Sequence, residues 1–401
     1  MILSLKNAKF NMPEIKPLRI LSISTDRDIF REGSEVYGRM KDLGTIADEL
    51  HIIVFSKGHF TETQISPNVR AYPTNSLSRW LYIFDAYVLA KKIFFRPKVS
   101  LVDMVTTQDP FECGIAGYFI SNKLHIPLHL QIHTDFLNKY FRTHAFLNRL
   151  RVIIAKFLLR GQVSVRVVSE RIKTSIFEKM FSRGEIPPHI TVLPVFVDVQ
   201  KFKDAPETRF LSEKYPGYNL LVLVVSRLEK EKNVSLAFRL IAEIRSRSTE
   251  LRPGLVIAGT GSEEKSLRSL AKKLHIKDHV FFEGQVSDLA LYYKSADMLL
   301  VTSRYEGYGR MFLEAATSGC PVLTYDVGAA KEIIKRGGMV CEENDEECLL
   351  RNLILYAKEP AVLDQAKKTA RASAEHFIPK TKEQYLAEFQ GMLRDASERV
   401  D

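Results

Sequence analysis

Cysteine is scarce in this sequence, with Cys113, Cys320, Cys341 and Cys348 as its four examples. They form no Cys-x-x-Cys pair and no zinc-ligand spacing, which predicts unpaired thiols in a reducing compartment and no metal site. No apolar run approaches the ~20 residues that a membrane-spanning helix needs. The first 17 residues turn polar too early for a secretory signal. These absences predict a cytoplasmic protein without a transmembrane helix.

Several functional signatures are also missing. No Gly-x-Gly-x-x-Gly follows the first apolar run, which disfavours a dinucleotide dehydrogenase. No Asp-x-Asp tract ends an apolar run in the second half, so nothing there predicts a metal clamp. The net charge of +10 comes without a nucleic-acid-binding motif. The charge therefore favours another anionic partner, either a phosphorylated metabolite or an anionic membrane surface.

Short β-rich apolar runs alternate with helical patterns along the chain. The runs are 18–24, 50–56, 99–105, 128–133 and 163–169 in the first half, and 220–228, 254–261, 279–284, 297–303 and 321–326 in the second. Such alternation predicts parallel sheets with helices on both faces. About five strands per half predict two doubly wound, Rossmann-like α/β domains facing across a cleft.

The domain boundary is predicted between 192 and 210, where periodicity stops and prolines and charges gather. This gives an N-terminal domain over 1–198 and a C-terminal domain over 199–379. The stretch 380–401 has the pattern of an amphipathic helix without a partner strand, and it is expected to pack back on the first domain. Ligands of open α/β sheets bind outside the carboxyl ends of strands.

Two strand ends in the second half carry groups suited to phosphate. Arg227 directly follows an apolar run, and Lys232 lies five residues later at the approach to a helix. A guanidinium fork and a mobile ammonium both bind phosphate oxygens. Gly259 and Gly261 follow the next run and allow close approach of the backbone to a ligand. Taken alone, the cationic pair is more typical of solvated loop charges, and a single Gly-x-Gly is common in turns between strands and helices.

The stretch EGYGRMFLE (306–314) adds a third strand end. Its glycines, Gly307 and Gly309, precede a predicted helix whose positive end favours anions. Glu306 and Glu314 first suggest the acid and base of a hydrolase, but that chemistry needs two carboxyls facing one bond. Alternatively, Glu314 is a solvent-facing helix charge, and Glu306 is an acid favourable to the helix dipole. Phosphate-suited groups at three strand ends argue against coincidence.

Taken as a set, these stretches resemble the retaining GT-B glycosyltransferases of family 4. EGYGRMFLE matches the E-x7-E motif, and SRLEKEKN, GTGSEE, VFFEGQVSD and TSGCPVLTYDVGAAKEII match further landmarks in the expected order. The resemblance covers residues 218–340 and is looser in the first half. It implies a GT-B fold and a nucleotide-sugar donor on the C-terminal domain.

The resemblance also implies roles for individual residues. Arg227 and Lys232 would hold the diphosphate, Glu314 the ribose hydroxyls, and Glu306 a hydroxyl of the donor sugar. The amides of residues 307–309, including Tyr308, would line the sugar and distal phosphate, with Gly259 and Gly261 also at the donor. A carboxylate only accepts hydrogen bonds, so it suits hydroxyls and repels phosphate. Fixed cations and amides would stabilise the departing diphosphate without a cofactor or metal.

In the first half, the resemblance points to one histidine and one turn. LHLQIHTDF alternates as a strand would, which puts His133 at a carboxyl end, where the family has a catalytic histidine. His125, His129 and His133 are spaced four apart, as in a helical metal site. Pro127 and the alternation favour a strand with a buried, hydrogen-bonded His129. Gly33-Ser34 replaces the family's Gly-Gly turn at the donor phosphate, with one glycine fewer.

Two basic stretches raise the question of a membrane surface. No acidic residue occurs between 136 and 169, where Arg149, Arg151 and five other basic residues are interleaved with apolar ones. The stretch 78–98 joins the single Trp to Lys91, Lys92, Arg96 and Lys98. Both patterns fit either a peripheral helix on the inner face of an anionic membrane or a core helix with solvated charges.

The sequence thus predicts a retaining hexosyltransferase that uses a nucleoside-diphosphate sugar and a glycan or lipid-linked acceptor in surface glycan or glycolipid synthesis. Two other classes stay open: a GT-B phosphorylase or epimerase, and a nucleotide-sugar-binding protein without transfer activity. The base, the sugar and the acceptor are not determined by these residues.

Overall fold

The computed structural model of this chain describes residues 17–94, 102–182, 184–248, 250–334, 337–376 and 380–399. Some predictions lie partly or wholly outside the described residues. They include the interpretation of the N-terminal segment, the basic residues Arg96 and Lys98, the start of the predicted strand 99–105 and the end of the predicted helix 380–401.

The described residues form fourteen strands and sixteen α-helices. The strands are β1 (Arg19–Ser24), β2 (Glu49–Val54), β3 (Thr63–Ser66), β4 (Val69–Pro73), β5 (Met104–Thr107), β6 (Leu128–Ile132), β7 (Ser164–Val167), β8 (His189–Val192), β9 (Leu220–Val225), β10 (Pro253–Ala258), β11 (Val280–Gly284), β12 (Met298–Val301), β13 (Val322–Tyr325) and β14 (Gly338–Cys341). The helices are α1 (Glu35–Leu43), α2 (Tyr82–Phe94), α3 (Glu112–Leu124), α4 (Lys139–His144), α5 (Phe146–Leu158), α6 (Glu170–Met180), α7 (Gln200–Asp204), α8 (Phe210–Lys214), α9 (Val234–Arg247), α10 (Glu264–Lys273), α11 (Leu289–Ser295), α12 (Arg310–Thr317), α13 (Ala330–Ile333), α14 (Glu346–Lys358), α15 (Pro360–His376) and α16 (Lys382–Glu398). Short 3₁₀ helices occur at Arg27–Phe30, Arg79–Leu81, Lys230–Lys232 and Lys277–His279.

The strands form two sheets, which confirms the predicted α/β class. The first has the order β3-β4-β2-β1-β5-β6-β7-β8, and its β3–β4 pair is antiparallel. By contacts, the chain divides into one unit of residues 1–130 with 386–401 and a second unit of residues 131–385. The predicted boundary at 198/199 differs from this division and stays a prediction. Within the first unit, the side chain of Gln390 donates a hydrogen bond to the carbonyl of Ile46.

The second sheet has the order β11-β10-β9-β12-β13-β14, and each of its strand pairs is parallel. The apolar run of β9 is buried along almost its whole length because helices cover both faces of the sheet. The chain places β10 on one side of β9 and returns to place β12 on the other. The order of the strands therefore reverses between β9 and β12. In doubly wound sheets, this reversal opens a crevice at the carboxyl ends of the two strands.

The expectation of four unpaired thiols is wrong, because Cys341 and Cys348 form a disulfide. Cys341 ends β14, and Cys348 lies in the first turn of α14, where Asp345 caps the helix by accepting from the amide of Cys348. This reversal of the chain brings the two Cα atoms to 6.0 Å. A spacing of seven residues matches no recognised cysteine motif, so the sequence pattern did not reveal the pair. Cys113 and Cys320 are buried and form no disulfide, as expected.

Candidate functional site at the carboxyl ends of β9 and β12

A buried ion pair lies where the strand order of the second sheet reverses. The ammonium of Lys232 donates to a carboxylate oxygen of Glu306 across 2.6 Å. The two side chains are only 14% and 9% exposed, so little water screens the pair. They are 74 residues apart in the sequence and meet because the loops after β9 and β12 are neighbours. The structure thus brings together two of the predicted site residues.

Backbone and side-chain hydrogen bonds fix the two loops to each other. The hydroxyl of Thr302 donates to the carbonyl of Lys232 at 3.1 Å, and the amide of Arg304 donates to the carbonyl of Glu231 at 2.9 Å. Asn233 follows with φ of +48°, a left-handed conformation that asparagine tolerates, and α9 begins at the next residue. These contacts hold Lys232 at the start of α9 rather than leaving it on a free loop.

Arg227 lies on the same loop as Lys232 but in a different environment. Its side chain is 72% exposed and forms an ion pair of 3.3 Å with Glu231. Because the guanidinium itself is mostly exposed, it is available to other anions. Tyr305 lies nearby, and burial together with the charges of Glu231 and Glu306 raises its pKa to about 12. Its hydroxyl therefore stays protonated at neutral pH.

The predicted glycines after β10 lie against the loop after β9. Gly259 has φ of +146°, and a Cβ at this position would overlap the carbonyl of Ser226. A Cβ at Gly261 would overlap the carbonyl of Leu228 in the same way. The amide of Leu228 donates to the carbonyl of Thr260 at 2.9 Å, which joins the two loops. Both glycines are thus needed for the packing of the strand ends, whether or not they also contact a ligand.

The turn that follows Glu306 presents unused backbone donors. Within the described residues, the amides of Gly307, Tyr308 and Gly309 donate to no protein acceptor. The carbonyl of Tyr308 accepts from the amide of Ala329 at 2.9 Å, which fixes the turn from its other side. Gly309, with φ of +85°, is the N-cap of α12. Free amides at the start of a helix favour an anion or the oxygens of a polar ligand.

Glu314 is buried, and the alternative of a solvent-facing helix charge is wrong. Its side chain lies on α12 at 7% exposure and accepts a hydrogen bond of 3.0 Å from the hydroxyl of Tyr293. Arg310, one turn earlier, approaches the same carboxylate at 3.8 Å. Burial, followed by the charge of Glu314, raises the pKa of Tyr293, so this hydroxyl remains a donor. The i,i+4 spacing of Arg310 and Glu314 is visible in the sequence, whereas the contact with Tyr293 is not.

His133 follows the carboxyl end of β6, as predicted from the alternating pattern. Its backbone carbonyl lies directly against Gly307, since a Cβ on Gly307 would overlap that oxygen. From the same side, the hydroxyl of Ser169 donates to the carbonyl of Gly307 at 3.2 Å. His133 is thus adjacent to the turn that carries Glu306. Ser169 belongs to this arrangement, but its sequence context gave no signal for it.

Replacing Gly307 with alanine is expected to lower the free energy of unfolding by about 1–3 kcal/mol, because the added methyl must displace the backbone at His133. Denaturant unfolding measures this change. Gly38→Ala is the matched control: Gly38 lies in α1 with open space around its Cα, so stability should be unchanged or slightly higher. Equal stability of Gly307→Ala and the parent protein would contradict the close approach.

The prediction that His129 lies in a strand rather than in a helical metal site is confirmed. His129 lies in β6, is fully buried and shares a hydrogen bond of 2.9 Å with the hydroxyl of Thr106. His125 is a helix C-cap with φ of +54°, one element earlier. Among the residues that the structure describes, no cluster of three or more His, Cys, Asp or Glu side chains has metal-binding geometry.

Gly33 and Ser34 form a tight turn before α1 in the first unit. Gly33 has φ of +82°, and the hydroxyl of Ser34 caps α1 by accepting from the amide of Tyr37 at 3.0 Å. The same hydroxyl donates to the carbonyl of Asp28 at 2.6 Å. The serine that replaces the second glycine is therefore used as a helix cap. The contact of this turn with a donor phosphate stays a prediction.

Comparison with known families and curated proteins gives consistent matches. The family model of glycosyl transferases group 1 matches residues 206–373. An alpha-monoglucosyldiacylglycerol synthase of Streptococcus pneumoniae is 27% identical over 71% of this chain and 66% of its own length. An N-acetyl-alpha-D-glucosaminyl L-malate synthase of Bacillus anthracis is 30% identical over 44% of this chain and 46% of its own length. The matches thus span less than two thirds of these curated relatives.

Solved structures show the same fold over almost the whole chain. A sucrose-phosphate synthase from Thermosynechococcus elongatus superposes with a TM-score of 0.73 at 18% identity, covering 94% of this chain and 98% of its own. HepE of Anabaena, solved in complex with UDP-glucose, has a TM-score of 0.69 at 19% identity and covers 93% of this chain and 99% of its own. At this identity, the likeness shows the fold alone.

Proposed function

We propose that this chain, which has the GT-B fold and matches the family model of glycosyl transferases group 1 over residues 206–373, transfers a hexose from a nucleoside-diphosphate sugar to a hydroxyl of an acceptor. The observation that carries the proposal is the buried Lys232–Glu306 pair at the point where the strand order reverses. A cation suited to phosphate and a carboxylate suited to hydroxyls are held side by side there. A nucleotide sugar carries phosphates and sugar hydroxyls next to each other, so one such ligand can bind both the cation and the carboxylate.

The diphosphate is proposed to bind at the cationic side of the site. Arg227 supplies an exposed guanidinium, Lys232 a buried ammonium, and the three free amides of residues 307–309 supply neutral donors. These groups are already in place before reaction, so they stabilise developing negative charge on the leaving diphosphate without reorganisation. No step in this scheme needs a cofactor.

The carboxylates are proposed to bind the sugars. Glu314, fixed by Tyr293, accepts from the ribose hydroxyls, and Glu306 accepts from a hydroxyl of the donor sugar. In the reaction, the bond between the anomeric carbon and the diphosphate oxygen breaks, and a bond to the acceptor oxygen forms. The acceptor proton passes to the leaving diphosphate. Retention of configuration is inferred from the resemblance of residues 306–314 to the E-x7-E motif, with His133 beside the sugar.

The acceptor is proposed to be a sugar or lipid-linked hydroxyl in glycolipid or polysaccharide synthesis. Support comes from relatives named for such products, such as the alpha-monoglucosyldiacylglycerol synthase and a lipopolysaccharide core mannosyltransferase of Rhizobium leguminosarum. The likeness to HepE makes UDP-glucose the first donor to examine.

The proposal is tested with a panel of UDP-, GDP- and ADP-sugars. A ligand that binds the native state raises the unfolding temperature by mass action. We expect the sugars of one nucleotide base to raise the unfolding temperature up to a plateau as their concentration increases. We also expect the matching donor to be consumed when a glycolipid extract is added as acceptor. The anomeric configuration of the product, read by NMR coupling constants, then decides between retention and inversion. If no member of the panel bound at millimolar concentration, the donor assignment would be wrong.

A peripheral membrane contact is proposed for α5. Phe146, Leu150, Ile153 and Phe157 form an exposed apolar stripe along this helix, and Phe146 is 85% exposed. Arg149, on the helix itself, is also exposed, and four more basic residues accompany it between 142 and 160. An apolar stripe bordered by cations suits an anionic bilayer surface, where the acceptor lipid would lie. In the first unit, Trp80 and Phe84 form a second exposed apolar group before and within α2.

Among the described residues, no helix combines the length and the apolarity needed to cross a bilayer. We therefore expect reversible surface binding through α5. Replacing Phe146, Ile153 and Phe157 with serine should abolish sedimentation with anionic vesicles. Arg149→Glu should weaken it by roughly an order of magnitude, since each basic residue near such a surface contributes ~1 kcal/mol. Arg351→Glu, an exposed change on α14, is the matched control and should bind as the parent does. Unchanged binding of the serine variant would contradict the assignment.

A further inference from the structure

A polar cavity lies at the carboxyl ends of β12, β13 and β14, next to the candidate site. It has a volume of about 160 Å³, and its lining includes Tyr140, Asn233, Ser303 and Tyr325. Asn233 directly follows Lys232, and Ser303 lies three residues before Glu306, so the cavity shares two loops with the candidate site. Carboxyl ends of parallel strands are where such sheets bind ligands. The cavity therefore begins at the loops after β9 and β12 and extends towards the ends of β13 and β14.

Tyr325 is the residue in the cavity wall that the fold does not explain. It ends β13 and is 4% exposed, and its buried hydroxyl has no hydrogen-bond partner among the described residues. A buried hydroxyl without a partner costs free energy, so native proteins rarely keep one without a use. Burial, followed by the charges of Glu346 and Asp345, raises the pKa of Tyr325. The hydroxyl therefore remains a neutral group that can both donate and accept.

The charges around the cavity cancel. Its lining contains two arginines, Arg239 and Arg304, and two glutamates, Glu343 and Glu346. Arg239 pairs with Glu346 at 3.6 Å, and Glu343 pairs with Arg171 at 3.1 Å. Neither a phosphate nor a carboxylate ligand would find a surplus of cations here. A neutral ligand with several hydroxyls matches the mixture of donors and acceptors.

One wall of the cavity is a short closed loop. Glu343, Asn344 and Glu346 all lie between the disulfide partners Cys341 and Cys348. Asn344 accepts a hydrogen bond of 2.5 Å from the hydroxyl of Tyr140, whose ring also carries the guanidinium of Arg304 at 5.4 Å. These contacts give the cavity an aromatic ring and fixed polar groups, the combination that binds a sugar ring. The cavity is open to solvent on one side, so a single sugar ring can enter it.

We propose that this cavity is a second sugar site, which holds one neutral pyranose unit, and that Tyr325 in its wall contributes a hydrogen bond to that unit. That the ligand is a neutral sugar is inferred from the groups that line the cavity and does not depend on the proposed function. Its source is either the terminal sugar of the acceptor, which rests on the proposed function, or a free sugar that acts as an effector.

The test uses the full-length chain and neutral methyl glycosides of glucose, galactose, mannose and N-acetylglucosamine, titrated by ligand-observed NMR. We expect saturable binding of at least one of them. Tyr325→Phe should weaken it about 5- to 10-fold, the value of one hydrogen bond. The same variant should keep or raise the unfolding temperature, because it deletes a hydroxyl that has no partner in the fold. Tyr356→Phe, a buried tyrosine of α14 away from the cavity, should bind as the parent does.

Two outcomes would overturn the proposal: no saturable binding by any glycoside, or equal affinity in Tyr325→Phe and the parent. A hexyl glycoside of the same sugar separates the two sources. If it competes with the methyl glycoside and is consumed with the donor, the sugar belongs to the acceptor; if it competes without being consumed, the sugar is an effector. Donor affinity is measured separately with UDP-glucose. If no glycoside binds but UDP-glucose does, the second sugar site is wrong and the proposed function stands. If a glycoside binds but no nucleotide sugar does, the proposed function is wrong and the sugar site stands.

Discussion

Replacing both Arg227 and Lys232 with alanine is expected to lower kcat/KM by at least about 10³-fold, because single preorganised donors to a developing negative charge contribute 10²–10³ each. The two cations differ in environment, Arg227 being exposed and Lys232 buried against Glu306. We therefore expect Arg227→Ala to act mainly on donor affinity and Lys232→Ala on kcat. Steady-state kinetics with the donor identified by the panel measures both.

Loss of folding must be separated from loss of catalysis in this experiment. Lys232→Ala leaves the buried Glu306 without its cation, which is expected to cost about 3 kcal/mol of stability. Adding Glu306→Gln removes that unpaired charge, so the double variant should recover stability without recovering turnover. Lys230→Ala, an exposed lysine on the same 3₁₀ turn, is the matched control and should keep activity within about twofold. Substantial turnover in the folded Arg227/Lys232 variant would refute the diphosphate assignment.

Glu314→Gln is expected to weaken nucleotide-sugar binding by about 10- to 100-fold, because hydrogen bonds to a charged group contribute about 1.5–3 kcal/mol. Glutamine keeps an acceptor for the Tyr293 hydroxyl, so the buried contact within the fold survives. Calorimetric titration with the nucleoside diphosphate of the preferred donor measures the effect.

The ribose assignment for Glu314 has a sharper readout than affinity alone. The parent protein should discriminate against the 2′,3′-dideoxy form of the same nucleotide, and Glu314→Gln should lose that discrimination. Tyr293→Phe is the control: it removes the partner hydroxyl but leaves the carboxylate, so most of the discrimination should remain. Full discrimination in Glu314→Gln would show that another group reads the ribose.

Local pattern was sufficient to predict the framework of the second sheet. Apolar runs such as 220–228 and 297–303 became β9 and β12 because buried parallel strands consist of uninterrupted apolar residues. Gly309 marked the turn before α12 because its left-handed backbone is a local requirement. By contrast, β3, β4, β8 and β14 were missed. These strands are short or lie near an edge, and polar residues such as Thr63 and Gln64 interrupt the pattern.

The pairings within the site could not be predicted in the same way. The contact between Lys232 and Glu306 depends on which strands become neighbours, and no residue between them encodes that order. The hydrogen bond from Tyr293 to Glu314 and the disulfide of Cys341 likewise arise from packing of separate elements. The sequence also left the role of Arg310 unexplained, although its i,i+4 spacing to Glu314 on a helix is what brings the two side chains together.

The route of the chain between the two halves of the site has a practical consequence. After Lys232, the chain builds α9, β10, α10, β11 and α11 on one side of β9 and then returns through β12 to Glu306. The two ends of this segment are joined by hydrogen bonds from Thr302 and Arg304, directly after β12, to the carbonyls of Lys232 and Glu231. We expect insertions or exchanges at its far edge, around the exposed residues 277–278, to leave the distance between the ammonium and the carboxylate unchanged. A library that varies this edge would thus alter the periphery of the sheet while the ion pair stays in register.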